Sequence, residues 1–140
     1  MGAVYLLNSD SIINNVRFSN INSNYSSAIY SILSDIVINN SKFTNLTSKK
    51  TAGAIGATST DIITITNSEF TNISSAKNGG SLFFDSVANV TIINSTFAHS
   101  SSEFGGAILQ LEGNLTIENS NFTQNAAIFN GGAYICPMLI

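Results

Sequence analysis

Hydrophobic and polar residues alternate with period two along most of the chain, and the alternation restarts every 25 to 27 residues. The runs Ile36-Val37-Ile38, Ile63-Thr64-Ile65, Val90-Thr91-Ile92 and Leu115-Thr116-Ile117 put Ile, Val or Leu on one side and Val or Thr on the other. That is the pattern of a β-strand with one buried face. Phe18, Phe43, Phe70, Phe97 and Phe122 keep the period, at spacings of 25, 27, 27 and 25. Three residues before each stands Asn15, Asn40, Asn67, Asn94 or Asn119, and two before each of those stands Ile13, Ile38, Ile65, Ile92 or Ile117. Ser41, Ser68, Ser95 and Ser120 follow the Asn, with Val16 in the first copy. Asn20, Asn45, Asn72, His99 and Gln124 come two residues after the Phe. A second landmark, a small-residue step before an apolar run, begins at Gly2, Ser27, Gly53, Gly80, Gly106 and Gly132. Two landmarks with one period of this length mark a solenoid.

Helical repeats need good helix formers with apolar residues every three or four positions. The units here are rich in Asn, Ser, Thr, Ile and Val, which favour turns and strands. A leucine-rich repeat has a similar period, but its Asn falls three residues after an apolar position and its return segment lacks a double glycine. The spelling predicts an all-β fold: a right-handed parallel β-helix of the pectin-lyase-like kind, with about five coils of 25–27 residues. Ile36, Ile38 and Asn40 share one parity, whereas Ser41, Phe43 and Asn45 share the other. If Ile and Phe both point inward, the chain must bend at the Asn, the non-glycine residue best suited to a left-handed conformation. Structural ladders are therefore expected at the five Asn, five Phe and five Ile positions, with Asn amides hydrogen-bonding from coil to coil. The segments between the post-Phe position and the glycine, such as Ser74–Asn78, Ser100–Phe104 and Thr47–Ala52, read as variable loops.

Charged residues make up only 9% of the chain, against ~25% in an average globular protein. Asn and Ser together supply 40 of the 140 residues, yet hydrophobic residues stand at 44% and recur in register, which separates this composition from disorder. The net charge is −3, and neither a basic footprint for nucleic acid nor a polybasic membrane patch is present. One cysteine, Cys136, excludes an internal disulfide and reads as a strand residue. No apolar run approaches the ~20 residues of a membrane-spanning helix. Residues 1–140 read as one solenoid domain. Both ends look cut through a coil, which predicts a longer parent protein with further coils at each end, since an open solenoid end exposes strand edges.

Gly105-Gly106-Ala107-Ile108 and Phe122-Thr123-Gln124-Asn125, with Gly131-Gly132-Ala133-Tyr134 close behind, carry a resemblance. They resemble the Gly-Gly-Ala-(Ile/Leu/Val) and Phe-x-x-Asn repeats of the chlamydial polymorphic outer-membrane proteins, whose β-helices are the passengers of autotransporter adhesins. In the other copies an Asn stands two residues after the Phe and most glycine pairs are degraded. Similar repeats occur in very large surface proteins of single-celled eukaryotes. The resemblance implies a β-helical adhesive segment without enzymatic activity.

Candidate chemistry is sparse. A polysaccharide lyase or hydrolase on a β-helix needs clustered carboxylates with a nearby Arg or Lys. Only Asp10 and Asp35 fall at one repeat position, and the column continues as Ile62, Asn89 and Asn114. His99, the one histidine, replaces the Asn of the second ladder and is expected to hydrogen-bond its neighbours there. Arg17, Lys42 and Glu69 share an outward column suited to weak cross-coil ion pairs. Thr64, Thr91 and Thr116 stack, but their partners Thr66, Ile93 and Glu118 break the regular array an ice-binding face requires. N-x-S/T sequons begin at Asn24, Asn39, Asn45, Asn72, Asn89, Asn94, Asn114 and Asn121. Asn45, Asn72 and Asn94 read as inward ladder positions closed to glycosylation, whereas Asn24, Asn89 and Asn114 read as open.

No catalytic, cofactor-binding or metal-binding residue is assigned. The expected function is non-enzymatic: a structural or adhesive segment of a cell-surface or secreted, extracellular protein, presenting loops and strand faces to a surface protein or glycan. The alternative is a carbohydrate-active β-helix whose catalytic coils lie outside this chain.

Overall fold

The computed structural model describes residues 2–135, and Cys136 lies outside them. Over the described residues the chain is a parallel β-solenoid of about five turns with no helix. Among the described residues two sheets, nine- and six-stranded, carry it. Each coil has four straight runs. The first is Val4–Leu7, Ile29–Ile32, the opening of Ile55–Thr66, the opening of Leu82–Ile93, and Ile108–Gln110. The second is Ser11–Asn14, Ile36–Asn39, the ends of the same two long strands, and Asn114–Glu118. The third and fourth runs lie in Arg17–Ser23, Lys42–Ser48, Glu69–Ser75 and Thr96–Phe104, then separate into Asn121–Thr123 and Ala126–Asn130.

Register follows the sequence landmarks. Ile13, Ile38, Ile65, Ile92 and Ile117 pair in one column, and Phe18, Phe43, Phe70, Phe97 and Phe122 in another. Phe43, Phe70 and Phe97 are fully buried, and so are Ile38, Ile65 and Ile92. Neighbouring Phe rings stack 4.6–5.0 Å apart, within 15° of parallel. That spacing is the strand-to-strand distance of a sheet. Each aromatic pair adds about 0.5–1.5 kcal/mol beyond its burial.

The bends fall where the parity argument puts them. Asn15, Asn40, Asn67, Asn94 and Asn119 have φ of 47–56°. The post-Phe residues Asn20, Asn45, Asn72, His99 and Gln124 have φ of 52–56° and make a second left-handed corner. A third corner runs through Asn8, Leu33, Ser59 and Ser86, and a fourth through Ala52, Gly79, Gly105 and Gly131 just before the glycine step. One left-handed residue resets the alternation, so every straight run can aim its apolar side inward.

The loop expectation is overturned. Ser100–Phe104 is strand, and so are Thr47–Ser48 and Ser74–Ser75. Only the short turns around Lys49–Lys50 and Ala76–Lys77 leave the sheet. The inward positions at the end of this fourth run are serines, and small polar residues imitate a loop in sequence. Buried Ser48, Ser75 and Ser102 donate their hydroxyls to the turn carbonyls of Thr51, Asn78 and Phe104. They tie the turn to the strand from inside the coil.

Candidate functional site

The polar residues of the repeat are occupied in holding coils together. At the Asn corner the first ladder is real but interrupted. Asn40 donates to Asn15, and Asn94 donates to Asn67 at 2.7 Å. Asn67, however, donates to Asn39 at 3.0 Å and bypasses Asn40. Asn39 also accepts from Thr66 and donates to Asn14. Replacing Asn67 separates conformation from hydrogen bonding. Asn67→Ala is expected to cost about 1–2 kcal/mol for its left-handed backbone. Asn67→Gly keeps that backbone, loses only the amide bonds and should cost less. Paired denaturant titrations check the order.

Asn15, Asn40, Asn67, Asn94 and Asn119 are all exposed, and so are Asn45 and Asn72 at the second left-handed corner. This corrects the inward reading of Asn45, Asn72 and Asn94, whose side chains all lie on the surface. A left-handed corner residue carries its side chain on the convex side of the bend. The inner side belongs to the serine that follows. Ser41, Ser68 and Ser95 are buried, and each accepts from the backbone amide of the coil before: Val16, Ser41 and Ser68, at 3.1–3.2 Å. Each also donates to the carbonyl two residues upstream, of Asn39, Thr66 or Ile93. Ser120 closes the column with the same two bonds.

The second ladder runs from Asn20 through Asn45 to Asn72, at 3.2 and 3.3 Å. It ends at His99, which makes no hydrogen bond to Asn72 or Gln124 among the described residues. The imidazole is exposed at its left-handed corner, so it takes over the bend of the ladder but not its bonding.

The charged groups take cross-coil roles as well. Asp10 accepts from the amide of Asp35 at 2.9 Å, and Asp35 from the amide of Ile62 at 2.8 Å. The column holds strand starts in register. Lys42 and Glu69 form an ion pair at 2.8 Å. The Lys42 hydrogen bond holds the Glu69 carboxyl below its ordinary pKa, against a smaller opposing effect of burial. A depressed carboxylate stabilises the fold above its unfolded pKa of ~4.3, and that contribution is lost as pH falls through the lower folded value. Both side chains are about half exposed, so solvent screening limits the pair to about 1 kcal/mol or less. Glu69→Gln is expected to remove a small loss of stability between neutral and acid pH, read by denaturation at each pH. Among the described residues no three His, Cys, Asp or Glu side chains gather in a metal-holding group, and no helix is long and apolar enough to cross a membrane.

One place departs from the repeat. Tyr5, Tyr25, Tyr30, Gly2 and Ser26 line a lateral recess of about 310 Å³. Tyr5 and Tyr30 are register partners on the outward side of the first run, their ring centres 6.1 Å apart and 27° from parallel. Gly56 follows in the same outward column, and the place a Cβ would take there is already filled by the Ser26 hydroxyl and the edge of the Tyr30 ring, 3.1 Å away. Tyr25 forms the remaining aromatic wall and is about half exposed. Lys50, one coil on, donates to the Tyr25 hydroxyl at 3.0 Å, with its ammonium 4.4 Å from the ring centre. That hydrogen bond first, and the Lys50 charge second, hold the phenol below its ordinary pKa.

The backbone is irregular at the same spot. Ser26-Ser27 replaces the glycine pair, and Ser26 lacks the positive φ of Ala52, Gly79, Gly105 and Gly131. Three buried side-chain polar atoms among the described residues lack a hydrogen-bond partner, and two of them, the Ser23 and Ser26 hydroxyls, flank Tyr25. Tyrosine is not a repeat landmark, so the repeat spelling does not point to this recess. A signal was present: Tyr5 and Tyr30 occupy one repeat position, and three of the four tyrosines lie in the first 30 residues.

No protein-family model, no curated protein and no solved structure matches the chain. The described structure places it among parallel β-solenoids of about five turns.

Proposed function

We propose that this chain is a rigid display segment of a cell-surface or secreted protein, holding an adhesive surface toward an extracellular partner, a glycan or a surface protein. The continuity of the stack carries the reading. Phe rings repeat at 4.6–5.0 Å through five coils, and the serine and asparagine columns join each coil to the next. Solenoids of this kind offer extended, pre-formed surfaces, and a rigid surface loses little conformational entropy on binding. Asp10, Asp35, Lys42 and Glu69 are engaged in register-holding contacts rather than gathered at one level for acid–base work. The Gly-Gly-Ala-Ile and Phe-x-x-Asn spellings support the likeness to autotransporter-adhesin passengers.

The test is retention of the purified chain on immobilised extracellular-matrix proteins and glycans, with release of new reducing ends followed in the same wells. Saturable retention without new ends is expected. Retention on nothing would remove the display reading. Release of reducing ends would replace it with a carbohydrate-cleaving one.

A further inference from the structure

We propose that the Tyr5–Tyr25–Tyr30 recess is a lateral binding site for one acidic pyranose residue, with the sugar's ring face against the tyrosine rings and its carboxylate toward the Tyr25 hydroxyl and the Lys50 ammonium. This rests on the display reading and names its ligand.

Size comes first. About 310 Å³ is the lower end of the ~300–1,000 Å³ of small-ligand sites, room for a sugar ring but not for a packed peptide segment. The chemistry of the walls comes next. Tyrosine rings present flat apolar faces ending in hydroxyls, which suits a ligand with an apolar C–H face and a polar rim. Tyr5 and Tyr25 are both about half exposed, so those faces are open to solvent. Solvent-exposed aromatic side chains gathered around a recess need an explanation beyond packing, whereas the phenylalanines of the repeat are all turned inward.

Charge then selects among sugars and against other aromatic-seeking ligands. The Lys50 ammonium already sits over the Tyr25 ring, so a quaternary ammonium or other organic cation would meet a like charge on entering. Because Lys50 donates to the Tyr25 oxygen, the phenolic hydrogen is left to point at a ligand acceptor. A carboxylate accepts from both. Lys49, exposed beside Lys50, adds to the positive potential, and these two lysines belong to the five Lys and Arg of a chain whose net charge is −3. The local sign therefore opposes the global one at this corner. The solenoid also gives up an internal bond at the wall of the recess, in the unpartnered hydroxyl of buried Ser26.

The experiment is a titration of the whole chain, tagged at its C-terminus, with an oligogalacturonate, sialyllactose and lactose. Tyrosine ring signals are followed by NMR and affinities by calorimetry. Binding of one or both acidic probes is expected, with shifts confined to Tyr5, Tyr25 and Tyr30, and which acid binds tells a uronic from a sialic source. Lys50→Gln, at an exposed position, should weaken binding about tenfold, and Tyr30→Ala by at least as much. Tyr30→Phe should bind nearly as the parent, and Lys77→Gln should be without effect. If Tyr30→Ala folds poorly, Lys50→Gln alone decides. Equal binding of lactose, no binding of any probe, or acid binding that survives Lys50→Gln would overturn the proposal. Retention of the chain on matrix proteins or neutral glycans would leave the display reading standing while this site fails.

Discussion

Phe70→Ala is expected to destabilise the chain by about 3–5 kcal/mol, toward the upper end of that range. Phe70 is fully buried in the middle coil and stacks on Phe43 and Phe97, each 4.6 Å away. Truncation removes two stacking contacts together with the buried area of the ring. The cavity can collapse only slightly, because the neighbouring rings are pinned to strands at fixed spacing. Folded domains are stable by only ~5–15 kcal/mol, so the loss is a large share of the total. Phe18→Ala should cost less, since Phe18 has one stacking partner and is 9% exposed. Urea titrations of both variants give the comparison. Hydrogen exchange should show protection falling first in Glu69–Ser75 and in the strands it pairs with, because coils of a solenoid contact only their neighbours.

Gly80→Val is expected to cost more than about 4 kcal/mol, a loss seen only when a substitution breaks a specific structural constraint. A Cβ at Gly80 would collide with the Gly106 carbonyl oxygen and press on the Ser101 amide. Both obstacles are backbone, and neither can swing aside. The same step recurs at Gly53 against Gly80 and at Gly106 against Gly132, so the glycines form a column that lets successive coils approach at this corner. Gly132→Ala is the control. Among the described residues its Cβ would meet only the Asn125 carbonyl, at 3.1 Å, and a small effect is expected. If Gly80→Val melts within a few degrees of the parent, the coils are not stacked this closely at the glycine corner.

The fold was legible because a solenoid writes its geometry into the sequence once per coil. The Ile and Phe columns, the left-handed Asn corner and the tight glycine corner all follow from period and parity. Three things escaped. The fourth run of each coil read as loop, since Ser48, Ser75 and Ser102 face inward but look like turn residues, and only their hydrogen bonds to turn carbonyls reveal why they are tolerated inside. The direction of the second ladder is not legible either: parity counting identifies the bend but not which side of it the side chain takes, and Asn45 and Asn72 lie outside. The tyrosine recess went unseen because its members are far apart in the chain and do not belong to the repeat spelling. Lys50 meets Tyr25 only because they are one coil apart. A site made by departures from a repeat is masked by the regularity around it.

Rigid display and the tyrosine recess both depend on the coils being stacked in this register. The measurement that tests this most directly is a nuclear Overhauser spectrum of the folded chain in solution, with the phenylalanine rings assigned. Contacts are expected between the rings of Phe18 and Phe43, Phe43 and Phe70, Phe70 and Phe97, and Phe97 and Phe122, and not between alternate members of the column. Ring contacts in any other order, or none between residues 25 to 27 apart, would contradict the stacked solenoid and everything built on it.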